Sequence, residues 1–380
     1  MYKEMRFARE DWARDAGHEL ARLGQDHADE LRAATRDGRF LRDLYEEMGT
    51  HGFIGPITPQ EHGGLGGGAA EYCLIGEQVG RHALVSPQIA VQGQRWLLVW
   101  GTDEQKERWL RGIATGQLVF SESISEPGMG SSFKNMAATA RRDGDDWILT
   151  GDKTHVNLGA DCDVTIFYAT AEEGVTSFMV DMTEPGIETR RTDPIGLRLI
   201  PTADVSFTRV RVPSSSLIGA PGEGLQTFLS TFNLSRLGNA SELIGLGRRA
   251  LVLGIDYARE RQVGDNQVTD FQGIQWTLAD AYTQLHAAAL SRNRAAQVID
   301  DGEDPALATS LAKKLAIDAA ERAANDVFAL TGGHGLYHDE DYAQVLNDVK
   351  VLRIAGGSLE ILRNYIARRL LKDGDYVDLR

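Results

Sequence analysis

The chain has 380 residues, of which 42% are apolar and 25% are charged, a composition typical of a globular protein with a large buried core. Its 40 Lys and Arg against 55 Asp and Glu give a formal charge of −15, which argues against nucleic acid or an anionic membrane as a partner. Two cysteines cannot form a disulfide framework, and no Cys or His spacing indicates a metal site. Because no apolar signal or membrane-spanning run appears, we expect a cytoplasmic protein.

Residues 1–117 are predicted to form an N-terminal helical domain. Apolar side chains recur at helical spacing before Gly49, at Phe40, Leu41, Leu44, Tyr45 and Met48. A glycine cluster at residues 63–68 interrupts the pattern and is most simply a turn between helices.

The period of the apolar residues changes to two in residues 118–222, which are predicted to form a small central β-domain. Strands are expected at residues 147–150, 164–168, 176–180 and 205–207, separated by turn sequences.

Helical spacing returns in residues 223–380, which are predicted to form a C-terminal bundle of the four-helix type. One long helix presents a face of Phe271, Ile274, Leu278, Tyr282, Leu285 and Ala289. A second, rich in alanine, covers residues 306–330. The predicted fold class is therefore α+β, with a β-domain between two helical domains.

Two motifs carry a family resemblance. Residues 353–363, RIAGGSLEILR, and residues 125–131, SEPGMGS, resemble signatures of the acyl-CoA dehydrogenase family, and the order of the domains is similar over essentially the whole chain. The resemblance implies the acyl-CoA dehydrogenase fold, an FAD cofactor, an acyl-CoA or acyl-carrier-protein thioester as substrate, and a homotetramer or homodimer.

The same resemblance raises a question about the reaction, because the catalytic carboxylate of the family is missing. Gly356 occupies the position of the base, and Ser235 occupies the alternative position used by some members. Dehydrogenation needs proton abstraction at the α-carbon, and losing a general base typically costs on the order of 10²–10⁴-fold in rate. A non-standard base or altered chemistry is therefore expected.

Helical spacing suggests where a substitute base lies. Ser235, Asn239 and Glu242 fall at i, i+4 and i+7, so they share one helix face. A carboxylate buried there would have a raised proton affinity. We expect Glu242 to take the catalytic role, with Glu122 and His155 as further candidates.

Positions that contact the flavin are assigned by the resemblance. Ile124 and Ser125 would face the flavin ring, and Gly130 and Ser131 would lie near its phosphates. His155 and Asn157 stand where the family has a tryptophan and a threonine beside the ring. Further contacts are expected from Arg261, Gln272, Gly332, Gly333, Ser358 and Glu360. Arg261 and Gln272 would reach the cofactor of a neighbouring subunit.

Substrate contacts are implied in the same way for Ser131, Asn233, Arg236 and Gly356. Three alternatives stay open. The chain resembles the degenerate subunit of a heteromeric enzyme, since several flavin contacts are lost. It also resembles members that eliminate sulfite without a base, although Leu84 stands where those carry an arginine. Finally, the fold could catalyse a reaction without redox chemistry.

Overall fold

A computed structural model describes residues 10–130, 133, 136–337 and 340–373. The N-terminal region is helical, and the predicted apolar face at residues 40–48 is buried. Its helices are α1 (Glu10–Asp26), α2 (Ala28–Asp37), α3 (Arg42–Thr50), α4 (Ala69–His82), α5 (Gln88–Trp100), α6 (Asp103–Gln105) and α7 (Arg111–Ala114).

The central region is an eight-stranded sheet. Its strands are β1 (Phe120–Ser123), β2 (Thr139–Asp143), β3 (Asp146–Asn157), β4 (Val164–Ala171), β5 (Gly174–Asp181), β6 (Ile187–Arg191), β7 (Thr202–Pro213) and β8 (Leu217–Ile218). The strand order is β6-β7-β3-β2-β4-β5-β8, and β1 pairs with β4 in parallel. Alternation of buried and exposed residues along β3 and β7 reflects a sheet with one covered face.

The C-terminal region is a helical bundle. It comprises α8 (Gly224–Glu260), a small hairpin of β9 (Gln262–Val263) and β10 (Asn266–Gln267), α9 (Gln272–Asp300), α10 (Ala306–Thr331), α11 (Asp341–Ile354) and α12 (Leu359–Arg368). Small residues let α8 and α4 approach closely: a Cβ atom on Gly80 would collide with Glu242 O, and one on Gly245 would collide with Glu77 O. This contact places the N-terminal helices directly on the site-bearing part of α8.

The predicted fold class is confirmed: a helical domain, a β-domain and a helical bundle follow one another along the chain. The predicted face of α9 is only partly buried, since Leu285 and Ala289 lie in the bundle core whereas Tyr282 is 64% exposed. Among the described residues, no helix combines the length and apolar character needed to cross a membrane, and no cluster of side chains suits a metal ion.

Candidate active site

The stripe predicted on α8 exists and is buried. Ser235, Asn239 and Glu242 expose 5% or less of their surface, although all three are polar. From Ser235 to Glu242 the stripe extends about 10 Å along the helix. Buried polar groups usually form hydrogen bonds, so their partners identify what the stripe faces.

The turn between α11 and α12 lies directly on this stripe. Gly356, in that turn, has a φ of 63°. A Cβ atom built on it would collide with Asn239 Nδ2 and would lie 3.0 Å from Ser235 Oγ. The two base positions implied by the resemblance, Gly356 and Ser235, are therefore neighbours in space.

Asn239 has one satisfied and one unsatisfied polar atom. Its Nδ2 donates to Ala355 O at 3.2 Å, whereas its Oδ1 is buried without a partner. Across the stripe, Gln88 Nε2 donates to Ser235 Oγ at 3.2 Å. Leaving a buried acceptor unpaired costs about 1–3 kcal/mol. Unpaired polar atoms of this kind are common at positions that bind a ligand.

Glu242 is the buried carboxyl group of the stripe. Ser86 Oγ donates to Glu242 Oε2 at 2.8 Å. Burial raises the pKa of Glu242 to about 7, a shift that the Ser86 hydrogen bond opposes and the charge of Asp348 increases. A pKa near neutral suits a group that exchanges a proton, and Glu242 shares its helix face with Asn239, which contacts the Gly356 turn.

Lys313 of α10, which no predicted motif includes, supports the same turn. Lys313 is fully buried, and its Nζ donates to Ala355 O and, at 2.8 Å, to Gly357 O. Burial, with a smaller contribution from the charge of Arg236, lowers the pKa of Lys313 to about 7. A lone lysine on the alanine-rich buried face of α10 was the available signal.

Glu122 lies on β1, opposite Ile166 of β4. Its Oε1 is buried without a partner, and burial raises the pKa of its carboxyl group to about 8. Within the described residues it shares no hydrogen bond with the α8 stripe. Burial therefore favours the protonated form of the Glu122 carboxyl group.

A buried ion pair fixes the loop after β1. Lys153 Nζ donates to Glu126 Oε1 at 2.8 Å and to Ile124 O at 3.2 Å. Ser125 O accepts a hydrogen bond from Thr154 N at 2.9 Å. Ile124 and Ser125 are therefore held between β1 and β3.

The remaining residues assigned to a flavin near this sheet differ in environment. A Cβ atom on Gly130 would meet only open space, and Ser131 lies outside the described residues. His155 is exposed with a φ of 56°, at an irregularity of β3, and Asn157 is half-buried. The structure does not bring His155 into hydrogen-bond contact with the α8 stripe.

The other assigned residues lie on the bundle. Arg236 Nη1 donates to Ser310 Oγ at 3.2 Å and lies 3.4 Å from Asn233 Oδ1, while Arg236 Nε is buried without a partner. Ser358 caps α12 by accepting from Ile361 N, and exposed Glu360 pairs with Arg353.

Four residues are remote from the stripe and exposed: Arg261, Gln272, Gly332 and Gly333. Arg261 follows the last residue of α8, so about 39 Å of helix separates it from Ser235. Arg261 and the stripe therefore cannot contact the same atoms of one ligand within a single chain.

Comparisons with known proteins identify the family. Residues 12–117, 121–210 and 222–371 match the N-terminal, middle and C-terminal domains of acyl-CoA dehydrogenase. A 3-(aryl)acrylate reductase of Clostridium sporogenes is 32% identical over 93% of this chain and 98% of its own. Acyl-CoA dehydrogenase FadE12 of Mycobacterium tuberculosis is 31% identical over 97% and 95%.

Solved structures of acyl-CoA dehydrogenases have the same fold as this chain. The complex of glutaryl-coenzyme A dehydrogenase with glutaryl-CoA has a TM-score of 0.91 at 26% identity, covering 97% of both chains. Butyryl-CoA dehydrogenase from Megasphaera elsdenii has a TM-score of 0.92 at 24% identity, covering 97% of this chain and 100% of its own, which shows the shared fold. The chain belongs to the acyl-CoA dehydrogenase family.

Proposed function

We propose that the protein is an FAD-dependent oxidoreductase that acts on an acyl thioester, of coenzyme A or an acyl carrier protein, with Glu242 as its acid–base group. The observation that carries the proposal is a buried carboxyl group, with a pKa of about 7, on the helix face that contacts Gly356. A general acid or base works best when its pKa lies near the working pH.

FAD, when bound, supplies the hydride acceptor or donor for the β-carbon of the acyl group. Glu242 takes the proton from the α-carbon in dehydrogenation and returns it in reduction. Ser86 orients that carboxyl group through its hydrogen bond. The Asn239 amide packs against Gly356 and leaves no room for a side chain at that position.

The residues of the β-domain fit a flavin. The loop held by Glu126 and Lys153 offers backbone groups and the Ser125 hydroxyl, and open space beside Gly130 leaves room for phosphates. The unpartnered carboxyl group of Glu122 suits a ligand that accepts a hydrogen bond. We assign Ile124, Ser125, Gly130, Ser131, His155, Asn157, Ser358 and Glu360 to this cofactor.

On the substrate side, Asn233, Arg236, Ser131 and the backbone of Gly356 are assigned to the thioester and its pantetheine arm. The unpartnered Nε of Arg236 supports this, because a buried guanidinium gains most from a ligand acceptor.

Self-association is part of the proposal. Large apolar side chains are exposed on α9, with Trp276 at 63% and Tyr282 at 64%. Arg261 and Gln272 lie far from the stripe of their own chain, and Gly332 and Gly333 are also exposed. These four residues would therefore contact FAD held by a second copy. A homotetramer or homodimer satisfies both observations. A cytoplasmic location stays a prediction from the sequence.

Two relatives bear on the direction of the reaction. One is named 3-(aryl)acrylate reductase, and another, 29% identical over 93% of this chain and 97% of its own, is named a subunit of the caffeyl-CoA reductase-Etf complex of Acetobacterium woodii. We therefore include reduction of an α,β-double bond. A degenerate subunit in a heteromer is the second candidate, favoured by the glycine at position 356.

The visible absorption spectrum of the purified chain tests the proposal. We expect a flavin spectrum that bleaches on anaerobic titration with a saturated acyl-CoA, or reappears when an enoyl-CoA is added to the reduced protein. A colourless chain that becomes stable only with a second subunit would support the degenerate subunit instead.

A further inference from the structure

Lys313 of α10 is a buried lysine whose hydrogen bonds go to one backbone turn. Its side chain is fully buried, and its partners among the described residues are Ala355 O and, at 2.8 Å, Gly357 O. The charge that acts on it is that of a second cation, Arg236, and no carboxylate of the described residues contributes. Because a buried ammonium group without a counter-ion is costly, Lys313 is not an ordinary ion-pair residue. It acts on the chain through the turn.

The carbonyl groups that Lys313 holds belong to peptide groups of this turn. A trans peptide group directs its C=O and N–H bonds to opposite sides, so fixing Ala355 O toward Lys313 directs the Gly356 N–H away from α10. The bond to Gly357 O fixes a second peptide group in the same way. Asn239 Nδ2 of α8 also donates to Ala355 O, at 3.2 Å. Two helices therefore determine the direction of the Gly356 N–H.

The Gly356 N–H is a free donor. It has no acceptor among the described residues, whereas the preceding N–H, that of Ala355, donates to Val351 O at 3.1 Å. Gly356 is half-buried, so an atom of a ligand can approach it. A donor that is fixed in direction and unpaired within the chain suits an acceptor atom that arrives with the substrate.

Hydrogen bonds in series strengthen one another. Donation from Lys313 Nζ to Ala355 O polarises the peptide group, which makes the Gly356 N–H at its other end a stronger donor. Removal of the α-proton of a thioester moves negative charge onto its carbonyl oxygen, and a preorganised donor stabilises that charge. Lys313 can therefore favour removal of the proton without contacting the substrate.

We propose that Lys313 is a positioning residue of the reaction, which fixes and polarises the peptide group that presents the Gly356 N–H to the carbonyl oxygen of the thioester. The inference rests on the proposed function, since that function places the thioester beside Gly356. It adds to the site a side chain on α10 that acts through the backbone of the turn.

The acidity of a bound 3-oxoacyl thioester tests this role. Acetoacetyl-CoA loses its α-proton to form an enolate, which is followed by its ultraviolet absorbance as the FAD-loaded full chain is titrated with base. We expect Lys313→Met to raise the apparent pKa of the bound ligand by about one unit, a tenfold loss of preference for the enolate. Lys314→Met, which removes a neighbouring surface charge, should leave that pKa unchanged.

Two further measurements separate positioning from general effects on folding. Lys313→Gln keeps an amide donor toward the turn, so it should shift the same pKa in the same direction and serves where Lys313→Met does not fold. In turnover of a saturated acyl-CoA, both variants should lower kcat about tenfold and change KM little, because the interaction strengthens as charge develops on the carbonyl oxygen.

Two outcomes overturn the inference in distinguishable ways. An unchanged pKa of bound acetoacetyl-CoA and an unchanged kcat in a folded Lys313 variant would make Lys313 a structural residue, while the proposed function stands. A parent chain that binds neither FAD nor acetoacetyl-CoA contradicts the proposed function and the role of Lys313 together.

Discussion

Asn239 and Gly356 contact each other so closely that the Asn239 amide fills the space into which a side chain at position 356 would extend. The amide also donates to Ala355 O, so α8 and the α11–α12 turn are joined at this point. Gly356 and Asn239 therefore form one contact, in which the absence of a side chain at position 356 leaves room for the Asn239 amide.

Introducing a carboxylate at position 356 by Gly356→Glu should destabilise the folded chain. The new side chain would collide with Asn239, and overpacking of this kind costs about 1–3 kcal/mol. The positive φ of Gly356 adds about 1–2 kcal/mol for any residue with a Cβ atom. Urea denaturation should show the loss, and the double variant Gly356→Glu, Asn239→Ala should recover part of it. A stable, active single variant would contradict the contact.

Lys313 should be important for the site through the turn that it holds. Lys313→Met would leave Gly357 O without its buried donor, at a cost of roughly 1–3 kcal/mol, whereas Ala355 O would keep its hydrogen bond from Asn239 Nδ2. The adjacent Lys314 pairs with Asp318 on the surface, so Lys314→Met should cost at most about 0.5 kcal/mol. Equal unfolding free energies for the two variants would refute this role.

Glu242 should make stability fall as pH rises. Its folded pKa of about 7 lies above its ordinary value, so the folded state holds a proton that the unfolded state has released. The penalty is absent below the unfolded pKa and complete above the folded one, reaching at most about 3 kcal/mol. Glu242→Gln should reduce the fall of the unfolding free energy between about pH 5 and pH 8. The exposed Glu188→Gln should leave the slope unchanged.

Glu122 should lower the stability of the flavin-free chain. Its buried Oε1 has no partner, and Glu122→Leu removes that polar group, which we expect to stabilise the chain by about 1–3 kcal/mol. Glu122→Gln keeps an unpaired polar group and should give little gain. A shifted flavin absorption maximum in Glu122→Leu would place the carboxyl group beside the cofactor. If both variants are less stable than the parent chain, Glu122 is a structural residue.

The fold could be predicted because its signals are local. Period-two apolar residues such as those at 164–168 fall in β4, and the spacing of Ser235, Asn239 and Glu242 correctly indicated one buried helix face. The spacing of residues within one segment does not show which distant residues will contact that segment.

The contacts of the site could not be predicted, because they join residues that are far apart in the chain. Asn239 meets a turn more than a hundred residues away, and Ser86 reaches Glu242 from another domain. The carbonyl partners of Lys313 lie 42 and 44 residues further along the chain, so spacing within α10 could not indicate them.

The rate of anaerobic flavin bleaching by an acyl-CoA substrate tests the central claim most directly. With Glu242 as the base, the rate should rise with pH through an apparent pKa near 7. Glu242→Gln should slow it by at least about 10²-fold while retaining bound flavin, and Glu188→Gln should not. A Glu242→Gln variant that bleaches at the parent rate, with the same pH profile, would contradict the account.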